Sequence, residues 1–308
     1  VNHGVFKVCT REFVSMRSMT CVVVRRWKYK VVDGKKQRMI KSRLCVRGFL
    51  GPQKHSLNVH SSSATRLSQR LLVSLAANHD FELETWDIST AFLQGFSFEA
   101  LERVMHDMRI AQASQQRECY IVPPDNVWYH LRVFGLANAP SSHFPHYSLR
   151  LLKAMYGLND APLLWQLCLR HFLLHDMKAQ QSLYDDNFFF WKSSDNTLLA
   201  AMTTHVDDCG VAGKPPWLSH TRSRVESRFG KLTVHQLPMD HVGVPYEQVP
   251  DGILMILPQY CMSIKLIPIS KKCESKPQLT STPADVHQLR ACVGELLFLC
   301  VICGDLLS

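Results

Sequence analysis

The sequence predicts an α+β protein in which strands pair as antiparallel hairpins and helices occupy separate stretches. Three observations carry this expectation. Asp33-Gly34 separates two strand-like runs, Cys21 to Val32 and Met39 to Phe49, and an Asp-Gly pair between such runs is a hairpin signal. Phe188 to Trp191 and Leu198 to Met202 flank the polar stretch Lys192 to Thr197 as a second hairpin. After Thr65, leucines recur at helical spacing instead.

Taken in order, the first hairpin places Lys41, Arg43, Cys45 and Arg47 on one face of its second strand by the two-residue period. Three cations in a row suit phosphates, and they equally suit a solvated face. Gly51 to Ser63 is a polar loop. In the helix that follows, Leu67, Leu71 and Leu75, flanked by Leu72 and Ala76, form a packing stripe with Arg66 and Arg70 on another face. Phe81 to Ile88 alternates as a strand and leaves Asp87 near its end. An aspartate there caps a helix or, on a strand end, carries chemistry.

Residues 97–150 hold no lasting periodicity and are broken by Pro123-Pro124, Pro140 and Pro145. Asn159 or Asp160 caps a helix with Pro162 in its first turn and Leu164, Trp165, Cys168, Phe172 and His175 on its apolar face. The second hairpin then runs into His205-Val206-Asp207-Asp208, and Cys209 to Ala212 returns as a further strand, so two acids sit at a hairpin tip. Leu218, Val225 and Phe229 mark a helix stopped by Gly230. Short strands near Val242–Tyr246 and Ile253–Leu257 surround Pro250-Asp251-Gly252, and a helix is expected from Asp285 to about Cys300.

Of the 308 residues, 46% are hydrophobic and 20% charged, an ordinary globular balance. The formal net charge of +9 is uneven: residues 1–56 hold 14 Lys or Arg against Glu12 and Asp33. A basic segment beside a near-neutral body attracts polyanions such as nucleic acids or nucleotides, unless it is merely a solvated face. No secretory pattern opens the chain, and the apolar run Leu296 to Cys303 is too short to span a bilayer. The expectation is an intracellular protein, cytoplasmic or nuclear, neither secreted nor membrane-bound, whose eleven cysteines stay reduced. Cys300 and Cys303 lack a second pair to complete a zinc site.

Adjacent carboxylates at Asp207 and Asp208 repel each other, and a divalent cation relieves that repulsion. Mg²⁺ takes oxygen ligands in octahedral geometry and shares them with phosphates and water. Asp87, on another strand end, is the natural third ligand if the two strands are adjacent. Asp185-Asp186 is a rival pair, but it precedes a strand and can be wholly solvated, so the later pair is preferred.

The motifs resemble, in order, those of Ty1/copia-type retrotransposon reverse transcriptases over nearly the whole chain. They are Lys41-Ser42-Arg43-Leu44-Cys45-Val46-Arg47-Gly48-Phe49, then Thr65-Arg66-Leu67 with Arg70-Leu71-Leu72. Next come Asp87-Ile88-Ser89-Thr90-Ala91-Phe92-Leu93-Gln94-Gly95, then Leu152 to Pro162 with Trp165, and finally His205-Val206-Asp207-Asp208. The resemblance implies a right-hand polymerase fold of fingers and palm, the palm an antiparallel sheet packed on helices, with a truncated thumb-like C-terminal region. Residues 1–80 would be mainly fingers, 81–256 mainly palm with an unclear insert at 101–150, and 257–308 a thumb or connection fragment.

It further implies an RNA-directed DNA polymerase using two Mg²⁺ ions, or Mn²⁺, held by Asp87, Asp207 and Asp208. Lys41, Arg43 and Phe92 would contact the nucleotide, Phe92 excluding a ribose 2′-hydroxyl. His205, Tyr156 and Gly157 would contact template or primer; the family usually has Tyr where His205 stands. Implied partners are an RNA template, a DNA or RNA primer, deoxynucleoside triphosphates and the remaining parts of a retrotransposon polyprotein. The alternatives are a catalytically inactive, decayed copy that still binds nucleic acid, and a two-metal nuclease.

Overall fold

The computed structural model describes residues 3–14, 17–32, 35–107, 117–135, 144–255, 257–264 and 282–302. In chain order these give β1 (Phe6–Thr10), β2 (Met19–Val32), β3 (Lys35–Val46), α1 (Arg66–Asn78), β4 (Glu82–Asp87), α2 (Ala91–Gln94), α3 (Phe98–Asp107) and β5 (Tyr120–Val122). There follow α4 (Asp125–Val133), β6 (Tyr147–Leu151), α5 (Ala161–His171), β7 (Gln180–Gln181), β8 (Phe188–Lys192), β9 (Leu198–His205), β10 (Asp208–Gly213) and α6 (Pro215–Phe229). Last come β11 (Thr233–Gln236), β12 (Met239–His241), β13 (Val244–Val249), β14 (Gly252–Met255), α7 (Pro258–Ser263) and α8 (Pro283–Ile302). The mixture of helices and largely antiparallel sheets is that expected from the sequence. Among the described residues no helix is long and apolar enough to cross a membrane.

The chain divides into two units. The first comprises residues 1–63, 88–181 and 223–231. Its sheet runs β1-β6-β5-β2-β3, with β2 and β5 parallel and the other neighbours antiparallel. Its core gathers Ile121, Leu149, Leu151, Trp128 and Ala154. The turn residues Asp33 and Gly34 lie outside the described residues, but the pairing they predict is present, with Val32 opposite Lys35 and Arg26 opposite Lys41. The stretch 97–150, which shows no pattern in sequence, contributes α3, β5, α4 and β6, apart from residues 108–116 and 136–143, which lie outside the described residues. Three-residue β5 lies inside the sheet, with Tyr120 and Ile121 buried, and is too short to display an alternation.

The second unit comprises residues 64–87, 182–222 and 232–308. Here β11-β4-β10-β9-β8 form an antiparallel sheet, and β12-β13-β14 a smaller one. Helix α1 packs on the larger sheet through Leu72, Val73 and Ala76, against Leu83, Ala201 and Ala212. Of the expected packing stripe, Leu72, Leu75 and Ala76 do pack on this core, while Leu67, at 76%, and Leu71, at 46%, are exposed, which corrects the expectation for those two. The rotation is set at the first turn. Ser68 Oγ donates to Asp185, while Arg66 Nη1 donates to Gln69 Oε1 at 2.7 Å and to the Val242 carbonyl at 3.2 Å. Ser68 and Gln69 are thereby buried and the leucines on the next face turn outward.

Candidate active site

β9 and β10 are joined by Val206 and Asp207, with His205 opposite Asp208 as the last pair. Asp208 is in turn opposite Asp87 on β4. Residues opposite each other across a ladder share a face, so Asp87, Asp208 and His205 stand together at one end of the sheet, beside Asp207 in the turn. Val206 has φ +58°, at the hairpin position normally given to glycine. Holding a β-branched residue there costs roughly 1–2 kcal/mol, strain of the kind that collects at functional sites.

Cys209, on the opposite face, is fully buried, and its thiol pKa is raised first by burial and then by the charges of Asp208, Asp207 and Asp87. The three carboxylates therefore act on one neighbourhood. Among the described residues no three His, Cys, Asp or Glu side chains are grouped as a ready cage for a cation. Mg²⁺ does not need such a cage, since one or two carboxylates with substrate phosphates and water suffice. The all-oxygen set of Asp87, Asp207 and Asp208 fits it in donor type.

Beneath the hairpin, a Cβ at Gly210 would stand 2.9 Å from both His241 Nε2 and Thr203 Oγ1, so His241 occupies the place a side chain would take. His205 Nδ1, Thr203 Oγ1 and His241 Nε2 are buried with no hydrogen-bond partner among the described residues. Burial, then the charge of Arg66, lowers the pKa of His205, against a pull upward from Asp207. Burial, then His205 and Arg66, pushes His241 down to about 4.

The unfolded chain takes up this proton near the ordinary histidine value, before the folded chain does. The contribution of His241 to stability is thus present above about pH 6.5 and is lost as pH falls toward about 4, by about 3 kcal/mol in all. His241→Leu is expected to flatten that part of the stability–pH profile measured by urea denaturation. An unchanged slope would refute the assignment.

The rival pair has a different role. Asp185 is buried rather than solvated, a correction to the sequence expectation. Its carboxylate accepts from Thr65 N at 2.8 Å, Asn187 N at 2.9 Å and Ser68 Oγ, and so closes the first turn of α1. Burial alone would raise its pKa, but these hydrogen bonds outweigh it and the net shift is downward. Asp185→Ala is expected to cost about 2–3 kcal/mol, measured as a lower denaturation midpoint. The loss should be fully expressed above the carboxylate range and vanish as pH falls through it.

In the first unit, the Arg43 guanidinium lies 5.1 Å from the Tyr156 ring centre, and Phe92 meets the same ring edge-on at 5.6 Å. Arg43, Phe92 and Tyr156 are thus brought together, with Lys41 exposed two residues before Arg43 on the same strand face. Arg43 Nε is buried without a hydrogen-bond partner among the described residues. The pairing of β2 with β3 puts Arg26 opposite Lys41, and Lys28, two residues on, shares that face. Both cations were overlooked in the sequence as partners of Lys41, although pairing the two runs on either side of Asp33-Gly34 would have placed Arg26 beside Lys41. Gly157, expected to contact template or primer, is held against β3: Gly48 N donates to Gly157 O at 3.2 Å and Val46 N to Tyr156 O at 2.7 Å.

No family model matches the chain. It is similar to curated transposon polyproteins. It is 24% identical over 280 residues to the retrovirus-related Pol polyprotein from transposon RE1 of Arabidopsis thaliana, covering 87% of the chain and 17% of the relative. Identity is again 24%, over 287 residues, with the corresponding RE2 polyprotein of Arabidopsis thaliana, covering 89% of the chain and 17% of the relative. With that from transposon TNT 1-94 of Nicotiana tabacum it is 27% over 196 residues, 61% of the chain and 12% of the relative. The chain spans about a sixth or less of the length of these relatives. This distant homology supports a region of a retroelement polyprotein.

Proposed function

We propose that the chain is the reverse transcriptase domain of a Ty1/copia-type retrotransposon polyprotein, a right-hand fingers-and-palm polymerase that adds deoxynucleotides to a primer on an RNA template. The observation that carries this reading is the placement of Asp208 opposite Asp87, with Asp207 in the adjoining turn. Asp87, Asp207 and Asp208 would hold two Mg²⁺ ions, or Mn²⁺. Such ions, when bound, activate an attacking hydroxyl and offset charge on a leaving group. Lys41 and Arg43 supply positive charge to the triphosphate, and Arg43 has a buried N–H to donate. Phe92, braced by the Tyr156 ring, offers a rigid wall against the incoming sugar. Tyr156 and Gly157 belong to the template side, and His205 to the primer end.

A second reading, an inactive copy that binds nucleic acid, is favoured by His205 standing where the family usually has tyrosine. Primer extension on an RNA template, run with and without nucleotides, separates the readings. A polymerase extends only with nucleotides and a divalent ion. An inactive copy binds RNA in a salt-sensitive way without extension, and a nuclease shortens a labelled strand without nucleotides.

A further inference from the structure

Helix α8 is apolar on two faces, and its own unit covers one of them. Its start is fixed by a reciprocal cap: Thr282 N donates to Asp285 Oδ2 at 2.8 Å, and Asp285 N donates to Thr282 Oγ1 at 3.2 Å. Further along, Leu299 is buried in the core of the second unit. The Phe298 ring lies 4.8 Å from that of Tyr260, and the Arg66 guanidinium stands 5.0 Å from its centre. Tyr260 Oη donates to the Glu295 carbonyl at 3.5 Å. Leu289, Val293 and Leu296 lie roughly a quarter turn round the helix from Leu299 and are 55%, 45% and 47% exposed. With half-buried Val286 they make one continuous stripe.

The spacing of that stripe names its occupant. Val286, Leu289, Val293 and Leu296 follow one another at intervals of three, four and three, the seam of a heptad with valine at both a positions and leucine at both d positions. Branched residues at a with leucine at d favour two parallel strands over larger bundles. In the same frame Asp285 falls at g and Arg290 at e. A g residue in a parallel pair meets the e residue five positions on in the other helix, so Asp285 of each copy faces Arg290 of the partner subunit, twice by the two-fold symmetry. Both groups are available for this. The cap bonds fall on Asp285 Oδ2 and leave Oδ1 open, and Arg290 is exposed and in no ion pair among the described residues. Leu297, at the next e position and 59% exposed, widens the seam.

We propose that α8 pairs in parallel with α8 of a second copy of this chain, as a two-stranded coiled coil with Val286, Leu289, Val293 and Leu296 at its seam. The seam is short, so the dimer is weak and its population rises with concentration. The inference does not depend on the hairpin aspartates or on polymerase activity.

Sedimentation equilibrium of the full chain over micromolar concentrations tests it. The expected result is a monomer–dimer equilibrium, weakened tenfold or more in Val293→Gln/Leu296→Gln and unchanged in Leu67→Gln/Leu71→Gln, which alters exposed leucines on α1 instead. Arg290→Glu sets like charges against Asp285 across the seam, and Asp285→Lys does the same against Arg290, so each variant alone should be mostly monomeric. Mixed in equal amounts, the two should associate again, because every g position then meets an opposite charge; that recovery is not a property of a misfolded chain. A monomer at all concentrations would overturn the proposal, as would a dimer indifferent to the α8 variants. So would failure of the mixed charge variants to associate.

Discussion

Asp207→Asn is expected to lower primer extension on an RNA template by roughly 10³-fold, the scale on which removal of a preorganised electrostatic group is felt in catalysis. Asparagine matches aspartate in shape but not in charge, so the change removes one carboxylate of three and leaves the hairpin intact. Asp207 lies in the turn, outside the ladder that pairs Asp208 with His205 and Asp87. Stability should therefore change by no more than about 0.5 kcal/mol, and relief of repulsion with Asp208 works in the stabilising direction. Salt-sensitive RNA binding should be unaffected. A variant that extends primers as well as the parent would remove the hairpin acids from the chemistry and with them the polymerase assignment.

Gly157→Ala has the largest expected effect on folding. Gly157 has φ +90°, and an added Cβ would stand 2.1 Å from the Val46 carbonyl oxygen and 2.9 Å from its nitrogen. Those are backbone atoms at the end of β3 and cannot rotate away. Left-handed strain and overpacking together amount to about 3–5 kcal/mol, a large part of the 5–15 kcal/mol that typically holds a domain. Urea denaturation reads the loss directly. Gly294→Ala is the control: it lies inside α8 with open space around its Cβ position, and there alanine should add about 1 kcal/mol. A cost below 1 kcal/mol at Gly157 would show that the β3 end moves freely.

The parts of this architecture that depend on near neighbours were legible in the sequence. Turn chemistry and two-residue alternation located the β9–β10 hairpin and the end of β4, and hence Asp207, Asp208 and Asp87. Asp33-Gly34 likewise carried the register of β2 with β3, although Arg26 and Lys28 were overlooked. Features set by distant partners were not legible. Asp185 resembled a solvated turn residue because two of its three donors, Thr65 and Ser68, lie more than a hundred positions earlier. The same contact determines which face of α1 turns inward, so the leucine period placed Leu72, Leu75 and Ala76 correctly but put Leu67 and Leu71 on the packing face when they are exposed. His241 had no motif at all. Its burial under Gly210 depends on where the small β12–β14 sheet packs.

The hydrogen bond from Thr65 to Asp185 spans 120 residues, which bears on how the protein is made. On a ribosome adding roughly 5–20 residues each second, α1 leaves the tunnel some 6–24 s, to order of magnitude, before the acid that closes its first turn. During that interval its buried stripe of Leu72, Val73 and Ala76 has neither β9 nor β10 to cover it. The chain must therefore carry an unfinished apolar helix while 120 further residues are added, and the order of synthesis runs against the order of assembly.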